Sequence, residues 1–204
     1  MRLRILAAVV AAGCVAVPAA RADGDPASDY LLSQSTFLPF DAKIPKAQAD
    51  QLNAIVADAK QKGFTIRVAL ISSTFDLGAV PSLWRKPKTY AHFLGQELFF
   101  VYKNRLLVVM PNGYGVSRGG KPQASAQRVV DKLSKPGEGG TALASAATRA
   151  VQRLAASSGV RIAIPPASAG SSSNSDRIVI AAIAGGIVLL LGAGYAATRL
   201  LGNR

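Results

Sequence analysis

Residues 105–117 read Arg-Leu-Leu-Val-Val-Met-Pro-Asn-Gly-Tyr-Gly-Val-Ser. The run Leu106 to Met110 is apolar without a break, which predicts a short strand buried on both faces, as in a sheet covered by helices. Asn112-Gly113 follows directly. Asn-Gly is the strongest short hairpin signal, because a tight hairpin turn needs positive φ at its centre. Tyr114 to Ser117 is therefore expected to return as the neighbouring strand. Upstream, residues 64–71 (Phe-Thr-Ile-Arg-Val-Ala-Leu-Ile) alternate and carry β-branched side chains, which predicts another strand. Between them, Thr89 to Tyr102 sets Tyr90, Phe93, Leu94, Leu98 and Val101 on one side of a helix. Strand, helix, strand is a crossover, and within one sheet such crossovers are right-handed.

The rest of the middle region extends this α/β pattern. Lys46 to Lys62 carries Ala49, Leu52, Ile55, Val56 and Ala59 at helical spacing, with Pro45 at its start and Gly63 at its end. Residues 72–88 are read as a loop, holding Gly78, Pro81 and Pro87. Residues 123–133 and 141–157 are expected to be helices on either side of Pro136-Gly-Glu-Gly-Gly140, and residues 160–164 a last strand.

The two ends explain an unusual composition. The chain has 204 residues, half of them hydrophobic, and a net charge of +13. Residues 1–22 read as a signal peptide: Arg2 and Arg4, an apolar stretch from Ile5 to Val17, and Ala20-Arg21-Ala22 as the cleavage site. An uncleaved anchor and an acylated Cys14 are the competing readings of this segment. Cleavage after Ala22 removes the chain's single cysteine. Residues 178–198 are 21 residues without a charge, flanked by Arg177 and Arg199. That length spans a bilayer core of roughly 30 Å as a helix. The expected organisation is a signal peptide (1–22), an extracytoplasmic domain (23–164), a Ser/Pro/Gly-rich linker (165–176), a transmembrane helix (177–199) and a short cytoplasmic tail (200–204). The tail's positive charge places it inside. The chain would then be single-pass in the cell membrane, with its N-terminal domain outside. Glycines 185, 186, 192 and 194 offer small faces for helix pairing, and the oligomeric state is left open.

One cysteine and one histidine leave no material for zinc clusters, redox pairs or a Cys–His nucleophile. Nucleic acid is not an expected partner, because the chain reads as exported and aromatics do not alternate with bases along it.

Several short motifs together resemble the TPM family, which includes thylakoid-lumen proteins of photosystem repair and bacterial membrane-anchored extracytoplasmic proteins. They are the Tyr30-Leu31 start, the amphipathic helix 46–62, the strand with Val68-Ala-Leu-Ile71, the helix with Tyr90 and Leu94, and Arg105-Leu-Leu-Val-Val109 followed by Gly113-Tyr-Gly115. The resemblance covers residues 28–158. It implies a three-layer α/β/α sandwich with a small mixed central sheet, here followed by one C-terminal transmembrane helix. It also implies phosphatase activity and divalent-cation binding through clustered acids. This sequence departs from the pattern at both places where the family commonly carries acidic residues, with Tyr102-Lys-Asn-Arg105 and Val116-Ser-Arg118 instead. Residues 30–164 hold seven acids against 18 bases. Calcium or magnesium needs several oxygen ligands, mostly carboxylates. Cofactors are therefore expected to be none, with calcium or magnesium entering only through the resemblance.

If strands 64–71 and 105–110 are parallel, residues 72–76 and 111–114 meet at one sheet edge, where open α/β sheets bind ligands. That edge would present Asp76, Asn112 and Tyr114, together with the basic loop Trp84-Arg85-Lys86-Pro87-Lys88. The default reading of Asp76 is a turn residue, of Tyr114 a packed ring between permissive glycines, and of the 84–88 segment a solvated loop with its Trp tucked in. His92 reads as a boundary residue, and Ser72 and Ser73 have no base beside them. Trp84, Arg85 and Lys86 would suit an anionic lipid, a wall polymer or an envelope protein. The reading that follows is a non-catalytic binding or accessory module at the cell envelope. Its alternative is a phosphatase-like hydrolase of the TPM type with weak or lost metal dependence. There Arg85, Lys86 or Arg118 would hold phosphate, and Asp76 would act as nucleophile or metal ligand.

Overall fold

A computed structural model describes residues 24–166. The expected signal peptide, transmembrane helix and tail lie outside the described residues, as does the linker beyond residue 166. Among the described residues no helix is long and apolar enough to cross a membrane. The elements run α1 (Pro26–Leu31), β1 (Thr36–Phe37), α2 (Lys46–Gln61), β2 (Ile66–Leu70), α3 (Pro87–Glu97), β3 (Arg105–Met110), β4 (Gly113–Arg118), β5 (Lys121–Pro122), α4 (Ala124–Val130) and α5 (Gly140–Ser157). The fold is mixed α/β. Its five strands lie in sequence order, with β1, β2 and β3 parallel and β4 antiparallel to both its neighbours, β3 and β5.

β3 sits centrally because its sequence tolerates no water on either side. Leu106 to Met110 are all buried. Alternation divides them: Leu107 and Val109 join a cluster with Leu52, Ile55 and Val56 of α2 and Leu143, Ala147 and Val151 of α5. Leu106, Val108 and Met110 join another with Leu31 of α1 and Tyr90 and Leu94 of α3. Helices thus cover both faces, which a parallel pair of apolar strands requires. The hairpin forms, but Met110 pairs with Gly113, so the two turn residues are Pro111 and Asn112 and Gly113 already belongs to β4; the turn does not use the positive φ that Asn-Gly was expected to supply.

α3 lies close on β4, and two glycines permit it. A Cβ on Gly115 would fall 1.9 Å from the Pro87 carbonyl oxygen, and one on Gly95 would fall 2.7 Å from Ser117 Oγ. Ser117 itself donates to the Ala91 carbonyl at 2.6 Å, so the helix and strand are joined by a hydrogen bond as well as by contact.

Four sequence readings shift. α3 begins at Pro87 rather than Thr89 and ends at Glu97 rather than Tyr102. Pro87 at the first helical position needs no N–H partner. Past Leu98 the chain turns back towards β3, which leaves Val101 58% exposed rather than packed. Residues 72–88 contain two short 3-10 turns, Thr74–Leu77 and Pro81–Leu83. Residues 160–164 are not a strand. Ile162 is buried on the helical layer, and its carbonyl accepts from Gln152 Nε2 at 3.0 Å, so the segment satisfies itself on α5 instead of at a sheet edge. α1 and the two-residue β1 carry too little periodicity to be read from sequence.

α1 is fastened from within. The Tyr90 hydroxyl donates to the Asp25 carboxylate, 2.7 and 2.8 Å from its two oxygens, and Asp25 also caps α1 by accepting from the Ala27 N–H. Burial is the main reason that the Asp25 carboxyl is pushed up to about 6 from 3.8, against the opposing hydrogen bonds from Tyr90 and the backbone. The folded chain therefore binds more protons than the unfolded one between those values, and stability falls as pH rises through that window. Comparing denaturant midpoints at pH 4 and pH 7 for wild type and Asp25→Asn should show this slope in the wild type and its loss in the variant. Gly115→Ala should cost about 3 kcal/mol, at the upper end for overpacking because the obstacle is backbone, as read by urea unfolding.

Candidate functional site

The parallel pairing of β2 and β3 brings their C-terminal ends together: Leu70 pairs with Val109, and the Ile71 N–H donates to the Val109 carbonyl at 2.9 Å. Residues 72–76 and 111–114 leave the sheet from this shared edge. A depression of about 420 Å³ opens here, lined by Arg85 to Thr89, Asn112 to Tyr114 and Asp131. It gathers four of the residues singled out from sequence: Arg85, Lys86, Asn112 and Tyr114.

The basic loop is held rather than loose. Arg85 has φ of +58°, a left-handed conformation that costs a non-glycine residue on the order of 1–2 kcal/mol and persists only where neighbours enforce it. The neighbours are visible: the Arg85 carbonyl accepts from Asn112 Nδ2 at 2.7 Å, and its guanidinium Nη2 donates to Glu138 Oε1 at 2.8 Å. Lys88 Nζ reaches Asp131 Oδ2 at 2.9 Å. Burial works against ionisation of Asp131, but hydrogen bonds from Lys88 and Gln127 and the Lys88 charge hold its carboxyl below the ordinary range. Lys86 is exposed.

Two of the anticipated residues do not line this depression. Trp84 is half-buried and packs against the α1/α3 core, which takes its indole away from the surface role read from sequence. Asp76 is buried, and its Oδ2 accepts from the Ser72 N–H at 2.7 Å, the Ser72 hydroxyl at 2.8 Å and the Ser73 N–H at 2.9 Å. This is turn chemistry: the carboxylate satisfies donors where the chain leaves β2. Tyr114 is mostly packed as well. It is buried in the α2/α5 core, its hydroxyl donates to the Ser134 carbonyl at 3.0 Å, and burial pushes its phenol pKa up, disfavouring the phenolate.

Arg118 lies elsewhere. β4 runs antiparallel to β3, so Arg118 pairs with Arg105 at the start of β3. The six residues of β3 separate it from the Arg85 edge by roughly 17 Å at the usual rise. The residues assigned to phosphate handling thus fall at opposite ends of the sheet. No group of three metal-ligating side chains occurs among the described residues. No protein-family model matches the chain, and neither a curated protein nor a solved structure matches it.

Sequence reading did not reach the cations at that opposite end, Arg105, Arg128, Lys132 and Arg153. The available signal was weak: Arg128 and Lys132 are four residues apart, with Asp131 between them in helical register with Arg128. Asp76→Ala should lower stability by about 1–2 kcal/mol, as expected for a lost capping acceptor, with Asp76→Asn costing less. Chemical unfolding of the two variants checks this, and an unchanged midpoint in the alanine variant would remove the capping role.

Proposed function

We propose that the chain is a membrane-anchored extracytoplasmic binding or accessory module of the cell envelope. Its globular part would lie outside, with one C-terminal transmembrane helix in the cell membrane and the tail in the cytoplasm. The observation that carries a binding reading over a catalytic one is the state of Asp76. It is the one acid anticipated at the ligand edge, and three donors from Ser72 and Ser73 occupy its Oδ2. Without a free carboxylate or a nucleophile beside a base, the edge has the makings of recognition but not of turnover. The excess of bases over acids in residues 30–164 supports an anionic partner. The motifs resembling the TPM family, and helices on both faces of a mixed sheet, are consistent with a three-layer TPM-like module. The membrane reading rests on the uncharged stretch 178–198.

An electrostatic partner implies salt sensitivity, because exposed charges are screened over about 8–10 Å at physiological ionic strength. The 24–166 fragment, which holds both core clusters, should bind anionic vesicles or a polyanionic wall polymer at low salt and release them as salt is raised. Cosedimentation across a salt series measures this. Binding indifferent to salt, or none at low salt, would defeat the proposal. Turnover of a phosphomonoester by the same fragment would revive the hydrolase.

A further inference from the structure

At the far end of the sheet, two adjoining depressions of about 600 and 270 Å³ lie between α4, the end of α5 and the start of β3. They share Ser125, Val129 and Ser157, so they form one groove. Arg105 and Arg118 line one part of it, and Arg128, Lys132 and Arg153 the other, while no acidic residue lines either.

This concentration of positive charge opposes itself. Arg105 stands directly across the ladder from Arg118, and like charges in that position destabilise a strand pair. Arg128 in the last turn of α4 and Lys132 just past its end line the same depression and add to the conflict. Burial first, and the charge of Arg118 second, press the Arg105 guanidinium towards a lower affinity for its proton. The ion pairs among the described residues involve Lys46, Lys62, Arg85 and Lys88, and none of the five groove cations. Arg105 has only the face of the Phe64 ring, 4.3 Å from its centroid. A multivalent anion relieves all of these repulsions at once.

We propose that this groove binds a linear, phosphate-bearing polyanion. The inference deepens the binding-module reading and rests on it. Shape favours a chain over a bilayer, since the cations line a concave channel that a flat headgroup surface does not enter. Ser125 adds a hydroxyl that can donate to a phosphate oxygen, while the Ser157 and Ser158 hydroxyls donate to the Leu154 carbonyl. No aromatic side chain lines the groove, so it lacks the stacking platform that single-stranded nucleic acids use. Position agrees. The Pro165 carbonyl, near the end of the described chain, accepts from Gln51 in the first half of α2. That half of α2 follows the C-terminal end of β1, at the sheet end opposite the groove. The channel is therefore remote from the point where the chain departs towards its anchor.

The test uses the full chain in a neutral detergent, with a labelled short linear polyphosphate as probe and polarisation as readout at low salt. The wild type should bind, with log K falling linearly in log salt. Arg128→Glu with Arg153→Glu should weaken binding at least tenfold and flatten that slope. Both residues are exposed, and the glutamine pair serves, with a smaller expected loss, if the glutamate pair does not fold. Lys43→Glu with Lys46→Glu, both exposed just before and at the start of α2, changes net charge equally and should stay within twofold. Equal losses in the two pairs, or no loss in the groove pair, would overturn the proposal. So would competition by orthophosphate, or by the soluble glycerophosphoglycerol headgroup, as effective per phosphate as polyphosphate itself. A wild type that ignores polyphosphate while its 24–166 fragment binds anionic vesicles removes the groove assignment and leaves the binding module standing. Failure of both removes both.

Discussion

The parallel pairing of β2 with β3 is the constraint on which the rest of the molecule depends. Five residue pairs, from Ile66–Arg105 to Leu70–Val109, join the two strands, and α3 has to cross the sheet between them. Parallel strands cannot be closed by a tight turn, so the long connection is obligatory. β3 is then covered on both faces, and between Leu106 and Met110 it can carry nothing polar. Polar chemistry is expelled to the two ends of the sheet. One end collects the loops after β2 and β3. The other collects the start of β3 and, because β4 turns back through the Pro111-Asn112 turn, the end of β4.

What distinguishes the two ends is where the acids are used. Asp131 and Glu138 neutralise Lys88 and Arg85 at the loop end and help to hold a residue with positive φ. Asp76 satisfies backbone and hydroxyl donors of the turn after β2. Asp25 is buried under the Tyr90 hydroxyl and ties α1 to α3. Asp50 and Asp58 pair within α2. Each of these six acids has a hydrogen-bonding or ion-pair partner, and no acid lines the channel between α4 and α5. Among the described residues, five cations are therefore left without an ion pair at one end of the sheet, a local concentration of charge that a net charge alone does not reveal.

The elements legible in the sequence were those whose periodicity exceeds the noise of a few residues. Lys46 to Gln61, the apolar run of β3 and the hairpin after it follow from spacing and turn chemistry, because burial of one face or of two leaves a distinct pattern. The limits of α3 were not legible: Phe99, Phe100 and Val101 continue a helical pattern that the chain abandons to reach β3, leaving Phe100 92% exposed. Ile162 looked like a strand residue because a buried β-branched side chain reads alike on a sheet and on a helix layer. The candidate edge was legible as a place, since parallel strands put their following loops together. A turn role for Asp76, a tucked Trp84 and a packed Tyr114 were the default readings, but their actual partners were not legible, because hydrogen-bond partners three to twenty residues away leave no periodic trace.

Sequence by itself determined the α/β order, the central position of β3, the hairpin and the excess of positive charge, since these depend on local apolar spacing and on counting. Tertiary structure alone decided which charges face acids and which face one another. Arg105 and Arg118 are thirteen positions apart in the chain and become direct neighbours only through antiparallel register. Arg153 joins them because α5 packs beside α4. Electrostatic energy depends on separation in space, and register and helix packing are what set that separation.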